Sequence, residues 1–197
     1  MQFEQAGDYI IGKLRKELPA NLIYHNIEHT CDVYLAAEII AKREKVSKAD
    51  LKLLLTAALY HDSGFLVKAE GHEEESCRMV KSHLPLFGYV ETDIDAICGI
   101  IMATRLPQLP NTLLERILAD ADLDYLGRDD FFKVGHRLFS ELELAGALGD
   151  EEEWNKLQLE FMEKHSYFTS TAINLRQAKK EANMEQIKKL LLTQPDK

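Results

Sequence analysis

The stretch Leu53-Leu54-Leu55-Thr56-Ala57-Ala58-Leu59-Tyr60-His61-Asp62-Ser63-Gly64-Phe65 constrains the fold of this chain more than any other. Its composition predicts a helix that is apolar on every side, and such a helix belongs inside a core. The run ends on an adjacent imidazole and carboxylate, with Gly64 placed to stop the helix. A carboxylate carried into a core needs its charge compensated. Asp62 therefore calls for a cation, either a metal or a basic side chain. The alternative sets His61 over the last carbonyls and leaves Asp62 in solvent.

The remainder of the 197 residues is patterned to surround such a helix, and the length suffices for one domain with a real core. Apolar residues at helical spacing predict helices from Phe3 to Leu18 and from Asn26 to about Lys45. The second carries Val33, Leu35, Ala36, Ile39 and Ile40. Ser47 to Asp50 resembles a capping box for the central helix. Further helices are expected from His72 to Leu84 and through Ile94, Ile97, Ile100 and Ile101, the latter capped by Thr92 or Asp93. Next come Leu113 to about Leu126 after an Asn111 or Thr112 cap, Phe131 to Leu144 after Asp129, and Glu152 to Lys164. Two last helices, about Ser170 to Ala182 and Met184 to Leu192, are separated by Asn183. No segment alternates as a half-buried strand does, so the expected class is all-α. One domain spans 1–197, with a core at about 20–127 and the helices of 128–197 packed on it.

A formal charge of -9 disfavours a nucleic acid polymer as partner, because phosphate-backbone affinity rests on clustered Lys and Arg. Cys31, Cys77 and Cys98 are widely spaced and form no disulfide framework, which suits a reducing compartment. The N-terminus lacks a basic and apolar leader, and no apolar run reaches the roughly 18 residues of a membrane span. The expected setting is the cytoplasm, away from the membrane.

Two other stretches carry chemistry. His25 and His29 are four apart, which on a helix places both rings on one face about 6 Å apart. The same string also fits an inverted zinc-protease motif with Glu28 as base. Asp120, Asp122 and Asp124 interrupt an apolar run at alternate positions, so at least one faces the interior and needs a partner; Arg116 and Arg128 are near in sequence. Two neutral imidazoles with two carboxylates suit a divalent transition metal better than calcium, which prefers oxygen alone.

The order His29, His61-Asp62, Asp122 resembles the HD superfamily of metal-dependent phosphohydrolases, which fold as all-α bundles. Tyr24-His25-Asn26-Ile27-Glu28-His29-Thr30-Cys31-Asp32-Val33 is similar to a stretch of the cyclic-nucleotide phosphodiesterases within it. The resemblance implies His29, His61, Asp62 and Asp122 as metal ligands, with Asp122 chosen over Asp120 on that match alone. It implies His25 as proton donor to the leaving oxygen, and Asp62 as able to bridge to a second ion. The further histidine that follows the doublet in phosphodiesterases is replaced here by Ser63-Gly64-Phe65-Leu66. That departure argues against a cyclic diester as substrate. Because His72 is the only near candidate for a further ligand, with no histidine in Ile101 to Arg105, one metal (Mn, Fe, Ni or Zn) is expected to bind securely, with Mg at most at a weaker second site.

An ion so held lowers the pKa of a bound water towards neutrality. Among the cations that could meet the phosphate, Arg105 beside Thr104 and a proline turn is the first choice, with His72 next. The implied function is hydrolysis of a phosphate ester in a nucleotide or another small phosphorylated metabolite. The alternative is a catalytically silent domain that binds a phosphorylated ligand or a protein. A homodimer is compatible with either. Tyr167 to Ser170 is the expected pocket wall contributed by the tail.

Overall fold

The computed structural model describes residues 1–193, which form helices and short turns with no β-strand among them. The helices are α1 (Phe3–Glu17), α2 (Ile27–Arg43), α3 (Lys48–Tyr60), α4 (His72–His83), α5 (Glu91–Met102), α6 (Leu113–Asp122), α7 (Phe131–Leu144), α8 (Glu151–Lys164) and α9 (Ser170–Thr193). Single 3-10 turns occupy Ser63–Leu66, Leu84–Phe87 and Asp124–Gly127. The all-α expectation holds.

The apolar run around Leu54 becomes the central helix. α3 lies against α1, α2, α5 and α6, and Leu54, Ala57, Ala58 and Tyr60 are fully buried. Ser47 starts it by accepting the Asp50 amide at 3.1 Å. A first core unites α1 to α6 around residues such as Ile10, Ile40, Leu54, Ile97, Ile101 and Leu118. A second, smaller core joins Tyr24, Leu126, Phe131, Met162 and Ile187. The end of α6 lies at the seam between the two.

Several boundaries differ from the sequence expectation, each for a local reason. α5 starts at Glu91, and Asp93 Oδ2 accepts the Val90 amide at 3.3 Å, so neither Thr92 nor Asp93 is its cap. α6 stops at Asp122 and passes into the 3-10 turn, well short of Leu126. Asp129 does not cap α7; Asp130 precedes that helix, and Asp129 pairs with Lys179 on the surface. The tail is one helix through Asn183, whose buried amide donates to Leu126 O and Arg128 O at 2.9 and 3.2 Å. A buried asparagine with tertiary acceptors has no need to break the helix. Leu35 and Ile39 on α2 face solvent, so its buried side is Val33, Ala36, Ala37 and Ile40.

Gly64 does not cap α3 but sits inside the Ser63–Leu66 turn, where α4 passes against it. A Cβ on Gly64 would lie 1.9 Å from the His72 carbonyl oxygen. The turn is fastened by Ser76, which is fully buried, donates to His61 O at 2.6 Å and accepts the Gly64 amide at 2.8 Å. Gly64→Ala must push α4 away, so we expect a loss of about 2–3 kcal/mol in urea denaturation. The same change should weaken metal retention, because the turn carries Asp62.

Candidate metal centre and adjoining cavity

Three elements deliver the centre. His29 comes from the first turn of α2, His61 and Asp62 from the end of α3, and Asp122 from the end of α6. His25 precedes α2, which begins only after Asn26; the Asn26 side chain caps it by accepting the Glu28 and His29 amides at 2.8 and 3.2 Å. The expected helical face for His25 and His29 is therefore wrong, although their ring centroids are 6.0 Å apart. The capping turn folds His25 back over the helix start.

Nε2 of His29 lies 3.4 Å from Nε2 of His61, 3.3 Å from Asp62 Oδ2 and 3.2 Å from Asp122 Oδ1. Nε2 of His61 lies 3.2 Å from Asp62 Oδ2 and 3.5 Å from Asp122 Oδ1. Donors at about 2.0–2.2 Å from one tetrahedral ion are separated by roughly this much. His61 Nδ1 donates to Ala58 O at 2.8 Å, which fixes the tautomer and leaves an Nε2 lone pair facing the other three groups. Asp62 Oδ2 is buried, and the groups that face it are the His29 and His61 imidazoles at 3.3 and 3.2 Å, so its charge must be met there by protons on those rings or by a cation between them. A divalent cation fits this donor set: two imidazole nitrogens and an Asp122 oxygen within 4.8 Å of one another, with Asp62 Oδ2 3.3 and 3.2 Å from the two rings.

The electrostatics agree. Burial opposes charge on His29, yet Asp122 and Asp62 outweigh it and raise the imidazole to about 9. Burial likewise opposes the anion of Asp122, and His29 and His61 overcome it to bring the carboxyl down to about 2. In the metal-free protein His29 is thus protonated at neutral pH, and an ion must displace that proton. The same carboxylates raise His61 as well, so we expect metal affinity to climb by at least about tenfold per pH unit up to about pH 9, as read by competition titration. For the metal-free fold the sign is opposite. A His29 raised above its unfolded value of 6.5 contributes stability that is complete below about pH 6.5 and lost as pH rises through about 9.

The acidic triplet is resolved by geometry. Asp120 is fully buried and turns away, accepting from the amides of Phe168 and Thr169 at 2.8 and 2.7 Å and from Thr169 Oγ1 at 2.6 Å. Asp124 takes a two-pronged contact from Arg176, Nε and Nη2 at 2.7 and 3.0 Å. Only Asp122 shares the His29–His61 cluster. All three acids point inward; backbone amides and Arg176 serve two of them. Arg116 plays no part, and Arg128 comes only within 3.9 Å of Asp124.

A cavity of about 560 Å³ opens beside the centre, bounded by Asp62, Asp122, His25, His72, Thr104 and Arg105. His72 Nε2 lies 3.3 Å from Asp62 Oδ1, and its Nδ1 donates to Ala69 O at 2.9 Å. Arg105 is held by Glu74 at 2.6 Å at the mouth, and the Thr104 hydroxyl donates to Ile101 O at 2.8 Å. Thr104 therefore reaches the cavity with its hydrogen already committed. Glu28, the base of the protease alternative, is surface-exposed and paired with Arg137 at 2.6 Å. Tyr167 to Ser170 is no part of the lining; it clasps Asp120 instead, and α7 and α8 supply the far wall.

His25 has a partner that the sequence did not announce. Its Nδ1 donates to Glu141 Oε1 at 2.5 Å, while Glu141 Oε2 accepts the Tyr24 and His25 amides at 2.8 and 3.0 Å. Burial works against the Glu141 anion, but the His25 ring and these two amides outweigh it and hold the carboxyl below its usual range. The other side of the ring stacks on Phe65 at 4.2 Å and 21°. Glu141 follows Leu138 by three residues and adjoins Leu142, at the border of the inward stripe of α7. Its polarity alone reads as a solvent face.

The ligand atoms of His29, His61 and Asp122 lie within 4.8 Å of one another, a group that could hold a metal ion, with Asp62 Oδ2 against both rings. The family model for the HD domain matches residues 26–124, half of the chain, and the chain belongs to the HD domain family. HD domains bind divalent metals and are generally metal-dependent hydrolases. Solved structures carry the same fold. A predicted HD superfamily hydrolase from an uncultured Thermotogales bacterium superposes with a TM-score of 0.63 at 24% identity, covering 93% of this chain and 90% of its own. Bacillus subtilis YpgQ, solved in complex with ADP, gives 0.69 at 23% identity over 99% and 98%. A Lactobacillus plantarum protein gives 0.69 at 18% over 98% and 100%. No curated protein matches the chain in sequence. Among the described residues, no helix is long and apolar enough to cross a membrane.

Proposed function

We propose that this chain hydrolyses a phosphate ester of a nucleotide or other small phosphorylated metabolite, with a divalent transition metal (Mn, Fe, Ni or Zn) held by His29, His61, Asp62 and Asp122. The observation that carries this reading is the clustering of the His29 and His61 nitrogens with Asp62 and Asp122, the two carboxylates also lining a ligand-sized cavity. The bound ion would neutralise phosphate oxygens and make water nucleophilic at neutral pH.

The other roles belong to the chain's own groups. His25 gives its Nε2 proton to the oxygen that leaves phosphorus, while Glu141 fixes the ring through Nδ1 and balances the imidazolium charge. Phe65 and Tyr24 restrict the ring further, at 4.2 and 4.8 Å between centroids. His72 donates from beside Asp62, and Arg105 stands at the mouth, where an incoming phosphate competes with Glu74 for its guanidinium. The ADP complex of B. subtilis YpgQ supports a phosphorylated ligand for this architecture.

The test is phosphate release from a panel of monoesters and nucleotides, before chelation, after chelation, and after return of each of the four metals. Hydrolysis that vanishes with chelator and returns with metal supports the proposal. Folded, metal-loaded protein that cleaves nothing in the panel overturns it in favour of a binding domain.

A further inference from the structure

The proposed function leaves open what the phosphate is attached to, and the cavity itself speaks to that. Its wall opposite the His/Asp cluster is built by α7 and α8 from Leu138, Leu142, Trp154, Leu157, Phe161 and Met162. Among the described residues Arg105 is the only Arg or Lys in the lining, and it already faces Glu74 at 2.6 Å. Glu70 and Glu73 border the same space. The charge inventory is short of cations: a divalent ion would be matched by Asp62 and Asp122, leaving His25, His72 and a shared Arg105 for substrate anions. That suffices for one phosphate. A second or third phosphate group would have to lie against glutamates or against leucines, where its charge stays unpaired.

We infer that the substrate is a phosphomonoester whose single phosphate meets the His/Asp cluster and whose organic part is an uncharged hydrocarbon or aryl group lying on the α7–α8 wall. This rests on the phosphohydrolase reading and narrows it. The volume, about 560 Å³, lies within the usual range of small-molecule sites. An apolar moiety gains by covering the leucines, Trp154 and Phe161, and a polyphosphate finds no counter-charge there. In the reaction the P–O(alkyl) bond breaks, water supplies the new oxygen on phosphorus, and the departing alkoxide takes its proton from His25, giving an apolar alcohol and inorganic phosphate.

The experiment measures kcat/KM of the metal-loaded protein on methyl, hexyl and 2-(1-naphthyl)ethyl phosphate, which share an alkoxide leaving group, beside AMP, ADP and ATP. Binding of methylphosphonate and hexylphosphonate is measured by calorimetry on the same protein. Hexyl and naphthylethyl phosphate are expected to exceed methyl phosphate and all three nucleotides by at least about tenfold. Leu157→Lys, at a partly exposed position of the wall, is expected to cut the hexyl-to-methyl ratio several-fold. If a nucleotide is the best substrate, the inference is overturned and the hydrolase reading stands. Should no ester be cleaved, the hydrolase reading falls. Hexylphosphonate binding about tenfold tighter than methylphosphonate then still supports the apolar ligand class, and equal binding overturns it.

Discussion

Asp62→Ala is expected to strip the metal from the protein and to lower phosphate-ester hydrolysis by at least about a thousandfold. Asp62 links the centre to the cavity: Oδ2 faces both His29 and His61 at 3.3 and 3.2 Å, and Oδ1 faces His72 at 3.3 Å. Its position at the end of a buried helix is what makes the carboxylate costly without a cation and useful with one. Alanine leaves two imidazole nitrogens 3.4 Å apart with only Asp122 to balance them. Metal content by mass spectrometry and steady-state kinetics measure the effect, and a far-ultraviolet spectrum of unchanged shape separates loss of metal from loss of fold. A variant that keeps its metal and its rate would remove Asp62 from the centre.

His25→Ala should lower kcat by about a hundred- to a thousandfold while the metal stays bound, because it removes a proton donor and no ligand. The deficit should shrink with p-nitrophenyl phosphate, whose leaving group needs no proton. Glu141→Gln should fall between wild type and His25→Ala, at roughly a tenfold loss, and move the pH profile of kcat. An amide can still accept from Nδ1 but no longer balances an imidazolium. A uniform loss across good and poor leaving groups would instead assign His25 to substrate binding.

The sequence made the architecture legible wherever a helix buries a plain stripe. The run through Leu54 and the isoleucines of α5 fall where their spacing places them. The ends were less legible, because caps and breaks are decided by partners distant in sequence. Asn183 looks like a break until the Leu126 and Arg128 carbonyls are seen above it, and Gly64 looks like a stop until α4 is packed against it. In the centre, the cost of a buried carboxylate made Asp62 visible, whereas the choice between Asp120 and Asp122 needed to know where Phe168 and Thr169 return. Glu141 was hidden altogether, since nothing in α7 marks one acid among its polar residues as the partner of a ring 116 positions away. The cavity wall was hidden for the same reason: its residues read as ordinary core stripes of α7 and α8.

The central claim is that His29, His61, Asp62 and Asp122 hold one metal. It is tested most directly by reconstituting the purified protein with manganese, iron, nickel or zinc, removing free ion by gel filtration and counting the retained metal by mass spectrometry. The account predicts about one tightly held ion per chain for at least one of these metals, lost in His61→Ala and Asp122→Ala alike. A folded wild-type protein that retains none of the four would contradict it.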